Sequence, residues 1–354
     1  MQQITTLIEF LEAGSLNPRF YDMGRRLISL SRDQFLSFER TETAYPQPLQ
    51  QQAWIALLLQ PDSEPVQADP LIWFIRFPLD EQGKLMQAAR DDFMFQLLER
   101  LGNALQPADQ RKEIESALEQ NPYAFQPKQE RLAAFHARIT VELYQSPSRY
   151  YAHAKRYFDG DLGWDQWSFI GYQGIADIAA RYHEEGNIQR IASAIPHLPP
   201  TALEALCHCL ENETIPVFLA EALLDRTLDC LSEPTPDPQV ITSTLRGISH
   251  SEPVEPRHQL LRHVLKHTIA RRSDILAAVA GRLWEDLVHD DLRTLFLERL
   301  AENLEGQDFF NQILSDLLYL TATRQSLLGS LRDPARSERL SQAIGTFFTH
   351  IKKG

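Results

Sequence analysis

Glycine is scarce in this sequence, at 15 of 354 residues. Phosphate-cradling loops need closely spaced glycines, so that backbone amides can approach an anion. Neither G-x-G-x-x-G nor G-x-x-x-x-G-K-[ST] occurs, which excludes the common nucleotide-binding classes. Cysteine is scarcer still. Three cysteines do not make a disulfide framework, and they suit a reducing compartment. G-x-S-x-G, H-E-x-x-H and C-x-x-C are absent as well. Long apolar runs are missing: stretches such as Trp54 to Leu59 fall far short of the roughly 20 residues that span a bilayer. The opening MQQITTLIEFLEAG has no basic segment and is interrupted by Glu9 and Glu12, so it does not read as a secretory leader. Positive charge is also in deficit. The net charge is −13, with 14 acidic and 9 basic side chains in residues 1–103 and 34 against 26 in the rest. Such a field repels phosphate backbones and makes nucleic acid a poor partner. These absences predict a cytoplasmic protein with no cofactor, no metal and no membrane segment.

What is present is an ordinary globular balance, 43% hydrophobic and 23% charged, in a chain long enough for two domains. The first hundred residues mix two periods. Ile4, Leu7, Ile8 and Leu11 recur at helical spacing before Gly14. RFYDMGRRLISLS reads as extended chain with a turn or bulge at Met23-Gly24, and Ser31 is a candidate cap for a short helix containing Phe35, Leu36 and Phe38. AWIALLLQ and PLIWFIRFPL read as strands buried on most of their faces. A helix follows over Leu85 to Leu101 and stops at Gly102. Beyond about residue 110 the pattern is helical throughout, starting with KEIESALEQ. The helices are short and broken by Pro, Gly or Asn, and I-x-x-x-[IL] fragments recur irregularly. The expected fold is therefore a small α+β domain over residues 1–103, followed by an all-α, HEAT/armadillo-like helical-repeat region over 111–354. A compact irregular bundle is the alternative for the second part.

Three stretches, RFYDMGRR (19–26), WFIRFPLDEQGKL (73–85) and NPYAFQPKQERLAAFHA (121–137), resemble an uncharacterised proteobacterial family catalogued as a domain of unknown function. The resemblance extends over the whole chain. It implies a bacterial, cytoplasmic protein and brings no catalytic residue, cofactor or partner with it.

Several residue groups invite a chemical reading. Cys207-His208-Cys209, with Cys230, suggests zinc, but residues two apart on a helix point about 200° from each other and do not share an ion easily. His263 and His267 have the i, i+4 spacing of metal ligands, yet Lys266 places a cation beside them and they flank an apolar stripe. Asp159, Asp161 and Asp165 lie at calcium-loop intervals without the closing Glu. None of these is taken as a metal site. Asp22, Arg25 and Arg26 around Gly24 read first as a structural ion pair and second as a site. Arg262 and Lys266 form a second basic helix face.

The most biased stretch is YYAHAKRYFDGDLGWDQWSFIGY, residues 150–172, with eight aromatic rings. On a helix starting near Pro147, Tyr151, Ala154 and Phe158 make one arc, expected in the core. A second helix over Trp164 to His183 carries Gly171 and Gly174, which would allow close approach of a neighbour. Packing explains most of the rings. The remainder is Arg149, His153 and Arg156 on the opposite arc, flanked by Tyr150 and Tyr157. Arg and Tyr are enriched at binding hot spots. The leading expectation is a non-enzymatic protein-interaction module, an adaptor or regulator, with these five residues facing another protein. The alternatives are a phosphate- or nucleic-acid-binding protein using the basic helix faces of Arg149 and of Arg262 and Lys266, and an enzyme of an unrecognised class.

Overall fold

A computed structural model describes residues 6–13, 16–61, 70–101, 121–184 and 186–351. The chain divides into two units, Met1–Lys128 and Gln129–Gly354.

In the first unit, apolar strands form one antiparallel sheet. Its strands are β1 (Leu16–Asp22), β2 (Ile28–Leu30), β3 (Gln52–Pro61) and β4 (Leu71–Pro78), in the order β2-β1-β3-β4. The register sets Tyr21 between Ser29 and Ala56, and Ile55 between Asp22 and Ile75. From Ile55 to Leu59, β3 is buried on both faces, as its unbroken apolar run implies. In β4 only alternate residues, Trp73, Ile75 and Phe77, are buried, so the run PLIWFIRFPL overstated that strand's burial.

Helices α1 (Leu7–Ala13), α2 (Arg32–Glu39) and α3 (Gln87–Leu101) complete the described part of this unit. Ser31 closes a capping box at the start of α2: its Oγ accepts from Gln34 N–H at 3.1 Å, and Gln34 Oε1 accepts from Ser31 N–H at 2.8 Å. The Glu39 carboxylate accepts from the N–H groups of Leu7 and Ile8, capping α1 from more than thirty residues away. Phe20 stacks on Phe35 at 3.9 Å, and Phe93 sets its edge against Phe77 at 5.5 Å.

The expected boundary near Gly102 and the helix over KEIESALEQ lie outside the described residues. From Asn121 the described chain runs along the sheet edge, with an isolated bridge between Ala124 and Ile75. Arg76 N–H donates to Tyr123 C=O at 2.8 Å and Phe125 N–H donates to Phe74 C=O at 3.0 Å. This segment satisfies the open edge of β4, which an apolar strand would otherwise expose. Within the part expected to be almost wholly helical from residue 111, residues 121–125 are therefore non-helical.

The second unit is a helical-repeat body in two layers. One layer contains α4 (Gln129–Glu142), α6 (Gly171–Ala180), α8 (Pro200–Leu210), α10 (Pro238–Ile248), α12 (Ser273–Arg282) and α14 (Gln307–Tyr319), each packed on the next. The other contains α5 (Tyr151–Phe158), α7 (Asn187–Ala194), α9 (Val217–Ser232), α11 (Val254–Lys266) and α13 (Asp290–Ala301), and α13 is followed by α15 (Thr321–Ser330) and α16 (Glu338–Ile351). Three 3₁₀ turns, Trp164–Phe169, Thr268–Arg271 and Trp284–Val288, join neighbours.

Proline starts many of these helices because its fixed φ and missing N–H cost nothing there. Pro199, Pro216 and Pro253 are N-caps, and Pro238 follows the Asp237 cap, whose carboxylate accepts from Gln239 N–H at 2.8 Å. One hydrophobic core runs through both layers from Ala133 to Phe347. Among the described residues no helix is long and apolar enough to cross a membrane.

The two glycines expected to admit a neighbouring helix behave differently. A Cβ at Gly174 would sit 3.3 Å from Tyr150 Cβ and 3.4 Å from Ala154 Cβ, so close packing needs glycine there. Gly171 has open space around it, and its φ of +66° is what requires glycine.

Candidate interaction surface

Helix α5 begins at Tyr151, not near Pro147, and its N-cap Tyr150 makes no side-chain cap bond. Arg149 and Tyr150 stand exposed ahead of it. The Arg149 guanidinium donates to Tyr150 Oη at 2.7 Å and lies over the Tyr150 ring at 4.9 Å. Arg156 is exposed on the same helix and His153 is half-buried. Among the described residues neither Arg149 nor Arg156 meets a carboxylate. Arg181, Arg190, Arg246, Arg257, Arg262, Arg272, Arg293 and Arg299 do.

Tyr157 is not part of this surface. It is fully buried, its Oη donates to Trp164 C=O at 2.6 Å, and its ring meets Trp164 edge-on at 5.6 Å. Burial, with a smaller push from Asp165, raises its phenol to about 12. The buried arc of α5 is Ala154, Tyr157 and Phe158, while Tyr151 is half-buried. The core arc is thus rotated from the expected one, with the Tyr157 ring and hydroxyl both held by Trp164 of the following 3₁₀ turn.

A residue that the sequence did not flag stands close by in the chain. Tyr144 is 98% exposed and holds a φ of 55°. It occupies the left-handed position that ends α4, with Gln145 N–H donating to Thr140 C=O at 2.8 Å. Glycine is the favoured residue at such a site, and an L side chain costs roughly 1–2 kcal/mol. We expect Tyr144→Gly to raise stability by about 1 kcal/mol in chemical denaturation. A drop in stability would show that the ring is held by contacts.

The other candidates fall elsewhere. Asp22, Arg25 and Arg26 are all buried. Asp22 Oδ1 accepts from Gly24 N–H at 2.6 Å, and Arg25 Nε donates to Pro48 C=O at 2.8 Å. They form an interior polar knot under the β1–β2 turn rather than an open site. Arg262 donates to Asp291 at 2.9 Å and lies 3.9 Å from Glu255, so its positive charge is largely neutralised, while Lys266 stays exposed.

Cys207 and Cys209 are buried thiols, pushed far above their ordinary pKa by desolvation. His263 Nδ1 donates to Gln259 C=O at 2.8 Å, whereas His267 Nδ1 accepts from Ile269 N–H at 3.2 Å. Each therefore has its own local partner. Asp159 binds Arg190 at 2.6 Å. Among the described residues no group of three or more His, Cys, Asp or Glu side chains is placed to hold a metal ion.

The densest charge cluster went unread in the sequence. Glu211 caps the C-terminus of α8 and is buried. Its two oxygens accept from Arg246 Nε and Nη2 at 2.9 and 3.1 Å and from Arg282 Nε at 2.7 Å, and Arg131 Nη2 lies 3.6 Å away. Burial raises the carboxyl's pKa, but the guanidiniums of Arg282, Arg246 and Arg131 outweigh it and hold the group down to about 2. A carboxylate at the negative end of a helix needs such cations. Beside it, burial and then the same guanidiniums push His208 down to about 3, so the imidazole is neutral at physiological pH. The available signal was spacing: Glu211, Arg246 and Arg282 follow one another by 35 and 36 positions.

A family model described as "Protein of unknown function (DUF3549)" matches residues 2–348. No curated protein and no solved structure matches the chain.

Proposed function

The chain belongs to the DUF3549 family of proteins of unknown function, and on that premise we propose that it is a non-enzymatic protein-interaction module, an adaptor or regulator of the bacterial cytoplasm. In this reading the two-layered helical body is an α-solenoid of the HEAT/armadillo type, a form that presents extended binding surfaces. The observation that carries it is the Arg149–Tyr150 pair. A guanidinium laid on a ring and bonded to its hydroxyl has already lost much of the freedom that binding would cost. In a chain of net charge −13, exposed arginines without carboxylates face outward towards something acidic. Arg149, Tyr150, His153 and Arg156 suit an acidic protein or peptide partner. A phosphate-bearing ligand is less well supported, because carboxylates engage Arg262 on the second basic face.

The test is capture of a partner from the native bacterium, followed by the double change Arg149→Glu and Arg156→Glu. Both residues are exposed, so stability should shift by about 0.5 kcal/mol or less. Partner affinity should fall at least about tenfold, roughly 1.4 kcal/mol. Unchanged affinity would refute this surface. A steep fall in wild-type binding with added salt, together with bound nucleic acid in the capture, would favour the phosphate reading instead.

A further inference from the structure

The second helical layer begins three successive helices side by side. Glu252 N–H donates to Ile215 C=O at 3.0 Å, which sets the entry to α11 against the entry to α9. Arg257 on the first turns of α11 binds Asp286 at 2.8 Å, and Arg262 reaches Asp291, so the entry to α13 lies alongside as well. The rings of His258 and His289 meet edge-on at 4.7 Å across the same junction.

Along this edge apolar side chains face outward. Val217 and Phe218 at the start of α9 are 49% and 50% exposed, Val254 at the start of α11 is 45% exposed, and Val288 just before α13 is 39% exposed. Scattered single apolar residues on a surface need no explanation; four on the adjoining starts of three packed helices do. Carboxylates surround them. Glu221, Glu252, Glu255, Asp290 and Asp291 are all exposed. Stabilising the positive ends of helices accounts for Glu255, Asp290 and Asp291, which sit in first turns. It does not account for Glu221, one turn further into α9, nor for Glu252 ahead of α11. Among the described residues Arg262 is engaged by Asp291 and Glu255, Arg257 by Asp286 and Arg293 by Asp290, while no basic side chain pairs with Glu221 or Glu252.

We infer that this edge is a docking surface for a cationic amphipathic helix from another protein. Its apolar face would lie on Val217, Phe218, Val254 and Val288, and its Lys or Arg flank would meet Glu221, Glu252 and Glu255. Helix-in-groove recognition of this kind reads apolar anchors at i, i+3, i+4 and i+7. Adjacent packed helices lie about 8–10 Å apart. Three of them therefore span about 20 Å, or some 13 residues of α-helix at about 1.5 Å each. The surface has the opposite charge to the Arg149–Tyr150 face and stands independently of it.

The experiment uses the full chain and a fluorescently labelled 18-residue Leu/Lys peptide designed as an amphipathic helix. A control peptide has the same composition, scrambled so that no apolar face forms. By anisotropy the amphipathic peptide should bind at least tenfold tighter than the scrambled one. Phe218→Ser with Val254→Ser, and separately Glu221→Lys with Glu255→Lys, should each lower its affinity tenfold or more, with melting temperatures near wild type. The Arg149→Glu, Arg156→Glu variant should bind as wild type does, so this result and the test of the proposed function fail separately. Equal affinity for both peptides would reduce the edge to non-specific charge attraction and overturn the inference. So would unchanged binding by the two edge variants. If sedimentation shows wild type self-associating and Phe218→Ser, Val254→Ser monomeric, the occupant is a second copy of this chain and the inference is likewise overturned.

Discussion

Glu211→Ala should destabilise the helical unit by about 3–5 kcal/mol, the usual cost of removing one member of a buried ion cluster. For a unit of this size that corresponds to a melting temperature lower by about ten degrees. The cause is the crowding of Arg131, Arg246 and Arg282, whose mutual repulsion the carboxylate screens. Glu211→Gln keeps the shape and loses the charge, so it should cost nearly as much near neutral pH. The pH dependence has a definite sign. The folded pKa of about 2 lies below the ordinary 4.5, so the stabilisation is complete above about pH 4.5 and is lost as pH falls towards 2. The stability gap between wild type and Glu211→Gln, followed by urea titration, should narrow by about 3 kcal/mol across that window. A gap that stays constant with pH would show that Glu211 acts through packing rather than charge.

Gly247→Ala should also destabilise, against the helix propensity of the residues involved. Alanine in place of glycine inside a helix ordinarily gains about 0.5–1 kcal/mol. At Gly247 in α10 a Cβ would meet Cys207 Sγ at 2.7 Å, with Cys207 Cβ and Leu223 Cδ1 both at 3.2 Å. Cys207 and Leu223 are fully buried and cannot swing away. Overpacking of this kind costs about 1–3 kcal/mol, so the net effect is a loss. Removing the sulfur should relieve it. In a Cys207→Ala background the same substitution should cost at least about 0.5 kcal/mol less, and a double-mutant cycle measures that coupling directly. Additive effects would mean that the α8–α10 contact yields elsewhere.

Periodicity made the two parts of the chain legible. Alternation and unbroken apolar runs marked β3 and β4, and Ser31 marked the start of α2. The repeat body was legible as helices but not as a register, since I-x-x-x-[IL] fragments carry little positional information. The register lies in the prolines and helix starts: α8, α10, α12 and α14 begin at Pro200, Pro238, Ser273 and Gln307, steps of 38, 35 and 34 residues. Tyr157 was assigned to the wrong face because a helical wheel gives relative angles and says nothing of which arc a neighbour covers. Arg149, Tyr150 and Arg156 are exposed as expected: the first two precede α5, and Arg156 lies in its last turn off the buried Ala154–Tyr157–Phe158 arc. The Glu211 cluster escaped because its members are far apart in sequence and each looks like an ordinary surface charge. Glu39 capping α1 escaped for the same reason.

In a stack of helix pairs, each pair ordinarily senses its immediate neighbours alone, and such stacks can fray from one end. Here one carboxylate after α8 draws on guanidiniums from α4, α10 and α12. A helix early in the stack is thereby linked to one several helices later, so opening at either place forfeits charge pairing at both. Amide protons in α4, α8, α10 and α12 should exchange with one shared opening free energy, as a single cooperative block. The helices beyond α13, which have no tie to that carboxylate, are then free to open first.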